Sequence, residues 1–336
     1  MKHANISIFI PHIGCPHRCT FCDQRTISGA QRISHGDDVR AICEKALTEV
    51  KSPENTEIAF FGGSFTAIPK EYMTELLESA CSFVGGGKFR GIRISTRPDC
   101  IDRDILSLLK KYGVTAIELG AQSMSDKVLE ANERGHSSAD VEKAAALIRE
   151  YGFELGLQMM VGLYNSTPKR ELYTMDEIIK IRPDTVRIYP VVVLKGTRLA
   201  ELYESGEYAM MSFEKITQLC STMLREFSDN GIEVIKCGLH ASDNVEGERV
   251  GGFYHPHRRY LVGQPCRAVK LAVIQVVLVA LKLREGHIAA LNRKLGDIMA
   301  HEQVKKLSAH ILLQNDLAVG NALTSLVVVA RIYDEV

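Results

Sequence analysis

A chain of 336 residues with 46% hydrophobic and 24% charged side chains can bury the core of one large α/β barrel or of two ordinary domains, so it needs no metal staple to fold and is neither fibrous nor disordered. Its 41 basic and 41 acidic residues cancel, so the overall charge announces no polyanion partner. Nine cysteines, an odd number with three crowded together and six scattered singly, exclude a secreted disulfide framework and fit a reducing compartment.

The N-terminal "MKHANISIFIPHIG" alternates like a strand, with "SIFI" (7–10) at its centre, and has neither the apolar stretch nor the cleavage site of a signal peptide; it predicts a cytoplasmic protein. The cysteine-bearing "IGCPHRCTFCDQ" (13–24) follows, then an amphipathic helix over 37–51 with an acidic first turn. Short apolar runs then alternate with helical stretches. The strands are "IAFF" (58–61), "GIRIST" (91–96), "TAIEL" (115–119), "ELGLQMM" (154–160) and "TVRIY" (185–189), and the helices are 69–83, 102–112, 137–151 and 170–181. A helix over 212–231 closes at Gly231 and leads into the strand-like "IEVIK".

Beyond it, "GERVGGFYHPHRRYLVGQPC" (247–266) reads as loop, and the apolar "LAVIQVVLVAL" (271–281) reads as a buried element. That run is well short of the ~20 residues that span a bilayer, so no membrane partner is expected. Residues 1–239 form one domain on this reading, and 240–336 form a smaller C-terminal element of unknown role.

Repeated β-α units with short connections imply a parallel sheet clothed by helices, whose ligands sit at the carboxyl ends of the strands. The unusual polar and glycine residues fall at those ends: the cysteines after the first strand, then "GGSFT", "RPD", "GAQS", "VGL" and "YPV" after the next five. All would line one mouth.

Three thiolates are one short of a closed tetrahedral site. Cys15, Cys19 and Cys22 either share a zinc ion with His12 or His17, or hold a [4Fe–4S] cluster whose fourth iron is open to an external ligand. The C-x3-C-x2-C spacing, with Phe21 just before the last cysteine, resembles the radical S-adenosylmethionine superfamily. In that superfamily the amino and carboxylate groups of S-adenosyl-L-methionine chelate the open iron, and one electron cleaves the sulfonium to a 5′-deoxyadenosyl radical. The glycine turn in "FFGGSFTAI" (60–68) strengthens the resemblance, which assigns Gly62, Gly63 and Ser64 to the amino end of the cosubstrate.

Three longer stretches, 94–102, 117–144 and 184–208, are similar to the radical domain of the Elongator catalytic subunit, a tRNA wobble-uridine modifying enzyme. Residues 117–163 also resemble oxygen-independent coproporphyrinogen oxidases. By that resemblance Gln122, Arg134 and Gln158 surround the ribose and carboxylate of the cosubstrate, the alternative for Arg134 being a surface pair with Glu130.

The chain departs from the pattern in several places. Ser64 and Phe65 replace the acidic or Thr-Pro versions of the turn, "GLYNST" replaces Leu-Pro-Gly, and Gln158 stands where coproporphyrinogen oxidases have an acid. The cysteine spacing is the compact one, and no acetyltransferase stretch follows within these residues.

The resemblance implies an α/β fold, a partial (β/α)6 TIM-type barrel with a smaller C-terminal element. It also implies an electron donor such as flavodoxin or ferredoxin. A tRNA nucleoside is the leading substrate, and a tetrapyrrole or other small molecule is the alternative. A non-enzymatic zinc or iron–sulfur protein binding RNA or a partner is the rival class. The remaining cysteines, at 43, 81, 100, 220, 237 and 266, lack close-spaced partners for an auxiliary cluster. Cys100 and Cys237 can relay a radical only if they reach the mouth, and otherwise serve as small hydrophobes. His255 and His257 in "YHPHRR" are exposed loop residues unless they hold a second metal.

Overall fold

The computed structural model describes residues 4–10, 15, 19–29, 32–239 and 243–252. The chain divides into two compact units, Met1–Pro265 and Cys266–Val336, and every described residue belongs to the first. His12, His17, Cys266, "YHPHRR" and the apolar run 271–281 lie outside the described residues.

Seven parallel strands build the sheet: β1 (Ala4–Ile10), β2 (Thr56–Gly62), β3 (Gly91–Thr96), β4 (Val114–Gln122), β5 (Glu154–Val161), β6 (Thr185–Pro190) and β8 (Glu233–Cys237). They pair in that order and curl into a half-barrel, a partial TIM-type barrel as expected from the sequence. The expected count of six was one short, because "IEVIK" joins the sheet as β8, pairing along β6.

Helices link the strands on the outside: α2 (Gly36–Glu49), α3 (Lys70–Cys81), α4 (Arg103–Lys111), α6 (Ser138–Glu150), α7 (Pro168–Ile181) and, after the short α8 (Arg198–Glu204), α9 (Phe213–Asp229). Their starts follow from capping. Asp102 accepts from the Ile105 amide at 2.8 Å, Ser137 and Asp140 form a capping box, and Thr167 caps α7 with Pro168 at its first position. Among the described residues no helix is long and apolar enough to cross a membrane.

The strand faces divide the chemistry. Ile58, Phe60, Ile94, Ile117, Leu119, Leu157 and Ile188 point outward into the core beneath the helices. The residues alternating with them point inward, and several are charged. Arg93, fully buried, reaches Glu57 at 2.7 Å, Glu154 at 2.5 Å and Glu118 at 3.4 Å. Arg187 chelates Glu118 at 2.7 and 2.8 Å. Removing either member of such a pair leaves a buried charge unanswered, so the layer holds as a unit.

A small second sheet joins β7 (Val192–Leu194) antiparallel to β9 (Arg249–Gly252). Residues 249–252 are therefore strand, although their glycines read as loop. A Cβ on Gly252, whose φ is +93°, would lie 2.7 Å from the Val191 carbonyl oxygen, so glycine is what allows this close pairing.

Candidate active site in the mouth of the half-barrel

The cysteine segment following β1 is anchored by hydrogen bonds from two later parts of the chain. The Thr20 hydroxyl donates to Asn132 Oδ1 at 2.9 Å and the Thr20 amide to the Asn132 carbonyl at 3.2 Å, and Leu199 N donates to the Thr20 carbonyl at 2.8 Å. Asn132, at the end of α5 (Asp126–Ala131), also donates its amide to the carbonyls of Val128 and Tyr164. Phe21 plugs into Val128, Leu163, Val191 and Leu199. Cys22 closes a turn on Cys19, after which Asp23 caps the short α1 (Gln24–Ser28).

Cys15, Cys19 and Cys22 all line a cavity of about 460 Å³ at the carboxyl ends of the strands. Burial pushes the Cys22 thiol up to about 12, helped by neighbouring Cys19 and opposed by a hydrogen bond from Gln24. Burial also raises Cys15, against the pull of the Ser64 amide, Arg97 and Arg134. Thiols this buried give up their protons when a metal takes over the charge. Among the described residues no three of His, Cys, Asp or Glu gather about a single ion, whereas a cubane takes its thiolates on separate irons.

Gly62, Gly63, Gln122, Arg134 and Gln158 line the same cavity, as the sequence predicts. Gly62, at φ +115°, lets β2 pass β1 closely: a Cβ there would sit 3.0 Å from the Ile10 backbone. Ser64 is the exception. Its hydroxyl is engaged by Thr96 at 2.9 Å and by the Arg97 amide at 3.2 Å, so only its backbone reaches the site, at Cys15.

Gln122 stands at φ +64°, where the β4–β5 register breaks, and its Oε1 is buried without a partner. That conformation is costly for a residue with a Cβ, and the surrounding strands hold it there. Arg134 is only 6% exposed and forms no ion pair with Glu130; its Nη1 donates to Cys19 Sγ at 3.0 Å and its Nη2 to the Gly120 carbonyl at 2.5 Å. Its Nε is buried without a partner. Gln158 donates its amide nitrogen to Glu118 at 2.7 Å and to Ser95 at 3.1 Å. Glu118 is a carboxylate held below its ordinary range by Arg187 and Arg93 against full burial, and it can only accept. The Gln158 carbonyl oxygen is therefore turned away from it.

Sequence reasoning missed the supports of this site. Arg97 lines the cavity, forks onto Asp99 at 2.9 Å through two nitrogens, and donates to the Arg134 carbonyl. Glu118, Arg187 and Asn132 were missed too. A signal existed for two of them: "IELG" and "VRIY" each set one charged residue inside an apolar strand, at the alternation that points inward. Cys100 and Cys237 do not line the cavity; Cys237 is buried in the core and acts as the small hydrophobe.

A parallel half-barrel that gathers three thiols at its mouth defines an α/β metallocofactor enzyme. The sequence pattern of the radical SAM superfamily matches residues 9–178, and that of its C-terminal domain matches 183–266. An uncharacterized protein of Methanocaldococcus jannaschii is 30% identical over 228 residues, which cover 64% of this chain and 70% of that one. Elongator complex protein 3 of Saccharomyces cerevisiae is 31% identical over 193 residues, 52% of this chain, so the match spans about a third (35%) of that relative. The structure of an archaeal Elp3 from Methanocaldococcus infernus, lacking its N-terminus, shares the fold with a TM-score of 0.62 at 20% identity, covering 81% of this chain and 64% of that one.

The chain belongs to the radical SAM superfamily. It is an enzyme whose cofactors are a [4Fe–4S] cluster and S-adenosylmethionine, and which needs a reductant. The residues present fit such a group: half-buried thiols on one wall, a glycine turn admitting close approach, and an unpartnered acceptor and donor at Gln122 and Arg134.

Proposed function

We propose that the mouth is the active site, with Cys15, Cys19 and Cys22 as cluster ligands and a nucleoside in tRNA as the substrate. On this reading the backbone of Gly62, Gly63 and Ser64 receives the amino end of the cosubstrate, Arg134 its carboxylate, and Gln122 and Gln158 its ribose hydroxyls. When bound, the cluster and S-adenosylmethionine supply a 5′-deoxyadenosyl radical by one-electron cleavage of the sulfonium.

The chain's own residues orient and insulate. Gln122 and Gln158 offer carbonyl oxygens to hydroxyl donors, the first because its Oε1 is unpartnered and the second because Glu118 claims its amide nitrogen. Arg134 keeps its Nε for an anion while its other nitrogens hold it against Cys19 and Gly120. Phe21 and its apolar neighbours close the loop from behind, which limits water behind the thiols.

The observation that carries the reading is this convergence of three thiols with unpartnered buried groups of Gln122 and Arg134 around one cavity. The substrate assignment draws on the Elongator-like stretches and on the relative named above. Flavodoxin or ferredoxin in the cytoplasm is the proposed electron source, and the separate C-terminal element, expected from residue 240, is proposed to begin further on, since 249–252 pair with 192–194 within the first unit. Release of 5′-deoxyadenosine by the reconstituted enzyme, with and without unmodified tRNA transcript, tests the substrate. Stimulation of at least tenfold, absent with coproporphyrinogen, is expected. Equal rates with and without tRNA would remove tRNA as the substrate.

A further inference from the structure

We infer that Gln24 and Arg134 raise the reduction potential of the cluster at the three cysteines, each by donating an N–H to a ligand sulfur, Gln24 to Cys22 and Arg134 to Cys19. The inference rests on the mouth being the cluster site and adds which side chains make that cluster easier to reduce.

Each cysteine is met by a nitrogen donor. Arg134 Nη1 lies 3.0 Å from Cys19 Sγ, Gln24 Nε2 lies 3.4 Å from Cys22 Sγ, and the Ser64 amide bonds Cys15. A thiol can also donate, but a thiolate on iron only accepts, so Gln24 presents its nitrogen once the cluster is in place. Asp23, beside Cys22 in the chain, could oppose these donors with its charge. Its carboxylate is instead turned to α1, taking the Arg25 and Thr26 amides at 3.0 and 3.3 Å and the Thr26 hydroxyl at 2.8 Å. Among the described residues no carboxylate lines the cavity.

An iron–sulfur cluster becomes one charge more negative when it accepts an electron, and part of that charge falls on the ligand sulfurs. Hydrogen bonds to sulfur are therefore stronger in the reduced state, and they move the potential upward. Their effect grows where water is scarce. Cys19 and Cys22 pack on the apolar group of Phe21, Val128, Leu163 and Leu199, so both donors act in a poorly screened setting.

The two donors differ in strength. A guanidinium bond to a thiolate is charge-assisted, roughly twice as strong as a neutral one, so Arg134 carries the larger share. Its Nη2 is fixed on the Gly120 carbonyl at 2.5 Å and its own carbonyl is held by Arg97, so the donor is already in place when the electron arrives. Gln24 is neutral and half-buried, at the first position of α1. It is not among the residues proposed to hold the cosubstrate, so its substitution probes the sulfur alone.

Redox titration of the full-length, anaerobically reconstituted protein without S-adenosylmethionine, followed by electron paramagnetic resonance, tests the inference. Gln24→Met removes the donor at similar size, and the reduction equilibrium constant is expected to fall at least threefold, about 28 mV for one electron at 59 mV per tenfold. Gln24→Lys restores a donor and should stand at or above the wild-type potential. Arg134→Met should fall at least tenfold, about 59 mV. Thr26→Val loosens the same short helix without touching a sulfur and should leave the potential unchanged. A smaller fall in Gln24→Met or in a folded Arg134→Met, a Gln24→Lys potential below the wild type, or a fall in Thr26→Val equal to that of Gln24→Met overturns the inference. The Gln24 variants decide even if Arg134→Met does not fold. Assembly of a four-iron cluster in wild type and its loss in Cys19→Ala are measured in the same preparations. A cluster whose potential does not move defeats the inference alone, whereas failure to hold a cluster on these cysteines defeats the reading of the mouth and the inference with it.

Discussion

Gln158 shows how one partner decides what a side chain can offer. Glu118, 2.7 Å away, can only accept, so the amide nitrogen of Gln158 is committed and its oxygen is presented elsewhere. An acid at 158, as in the coproporphyrinogen oxidases, would set two carboxylates side by side. Gln158→Glu is therefore expected to weaken S-adenosylmethionine binding at least tenfold at pH 8 and to recover part of it at pH 6, where the pair shares a proton; calorimetric titration at the two pH values checks this. Gly62→Ala carries a different cost, since alanine at φ +115° is strained and its Cβ meets the Ile10 backbone at 3.0 Å. A loss of about 1–3 kcal/mol is expected from urea unfolding. Gly62 and Gln158 were both legible in the sequence as positions at the mouth, where they line the cavity. The direction in which Gln158 points was not, because it depends on Glu118, forty residues away in the chain.

Segments around the mouth are held by single buried residues. Asn132 joins the cysteine segment to α5 and to the Tyr164 carbonyl, so Asn132→Ala strands the Thr20 hydroxyl and the Tyr164 carbonyl, while the Val128 carbonyl keeps the backbone amide of residue 132. Each stranded group costs about 1–3 kcal/mol, and faster hydrogen exchange at the amides of residues 19–24 is the expected local signature. The "GLYNST" loop, whose departure from Leu-Pro-Gly put its shape in question, is tied by the Gly162 amide to Glu171 at 2.7 Å and by the Tyr208 hydroxyl to the Gly162 carbonyl at 2.5 Å. Burial pushes Glu171 up to about 7 from 4.5. The folded state therefore favours its proton: the stability this contributes is whole below about pH 4.5 and is lost as pH rises through about 7. Glu171→Gln keeps the acceptor for Gly162 and should remove a pH-dependent loss of roughly 3 kcal/mol, seen as flatter urea midpoints between pH 5 and 8. The six long helices and the first six strands were legible from periodicity and capping, whereas short helices such as 24–28 and 126–131 were not. β7 and β9 were not, because three- and four-residue strands carry too little alternation, and the Gly251–Gly252 pair reads as turn.

At the level of the molecule, the inward face of the sheet keeps its carboxylates out of the mouth: Glu57, Glu118 and Glu154 pair with Arg93 and Arg187, whereas the charged side chains lining the cavity, among the described residues, are all cationic. Neutral overall composition hid this division, since it sums what the fold keeps apart. The position of the mouth was readable because every strand of the parallel sheet ends on the same side, so five of the six stretches lend residues to the cavity by topology, while "VGL" (161–163) does not and Leu163 packs with Phe21 instead. The seventh strand was less readable, because "IEVIK" stands after a long connection with no polar motif to mark its end. The central claim is that the three cysteines support reductive cleavage of S-adenosylmethionine. Its most direct test is anaerobic reconstitution with iron and sulfide, addition of dithionite and S-adenosylmethionine, and chromatographic assay of 5′-deoxyadenosine in wild type and Cys19→Ala. The account predicts formation by the wild-type protein and loss of at least a hundredfold in the variant; a wild-type protein that forms none while holding one tightly bound zinc would contradict it.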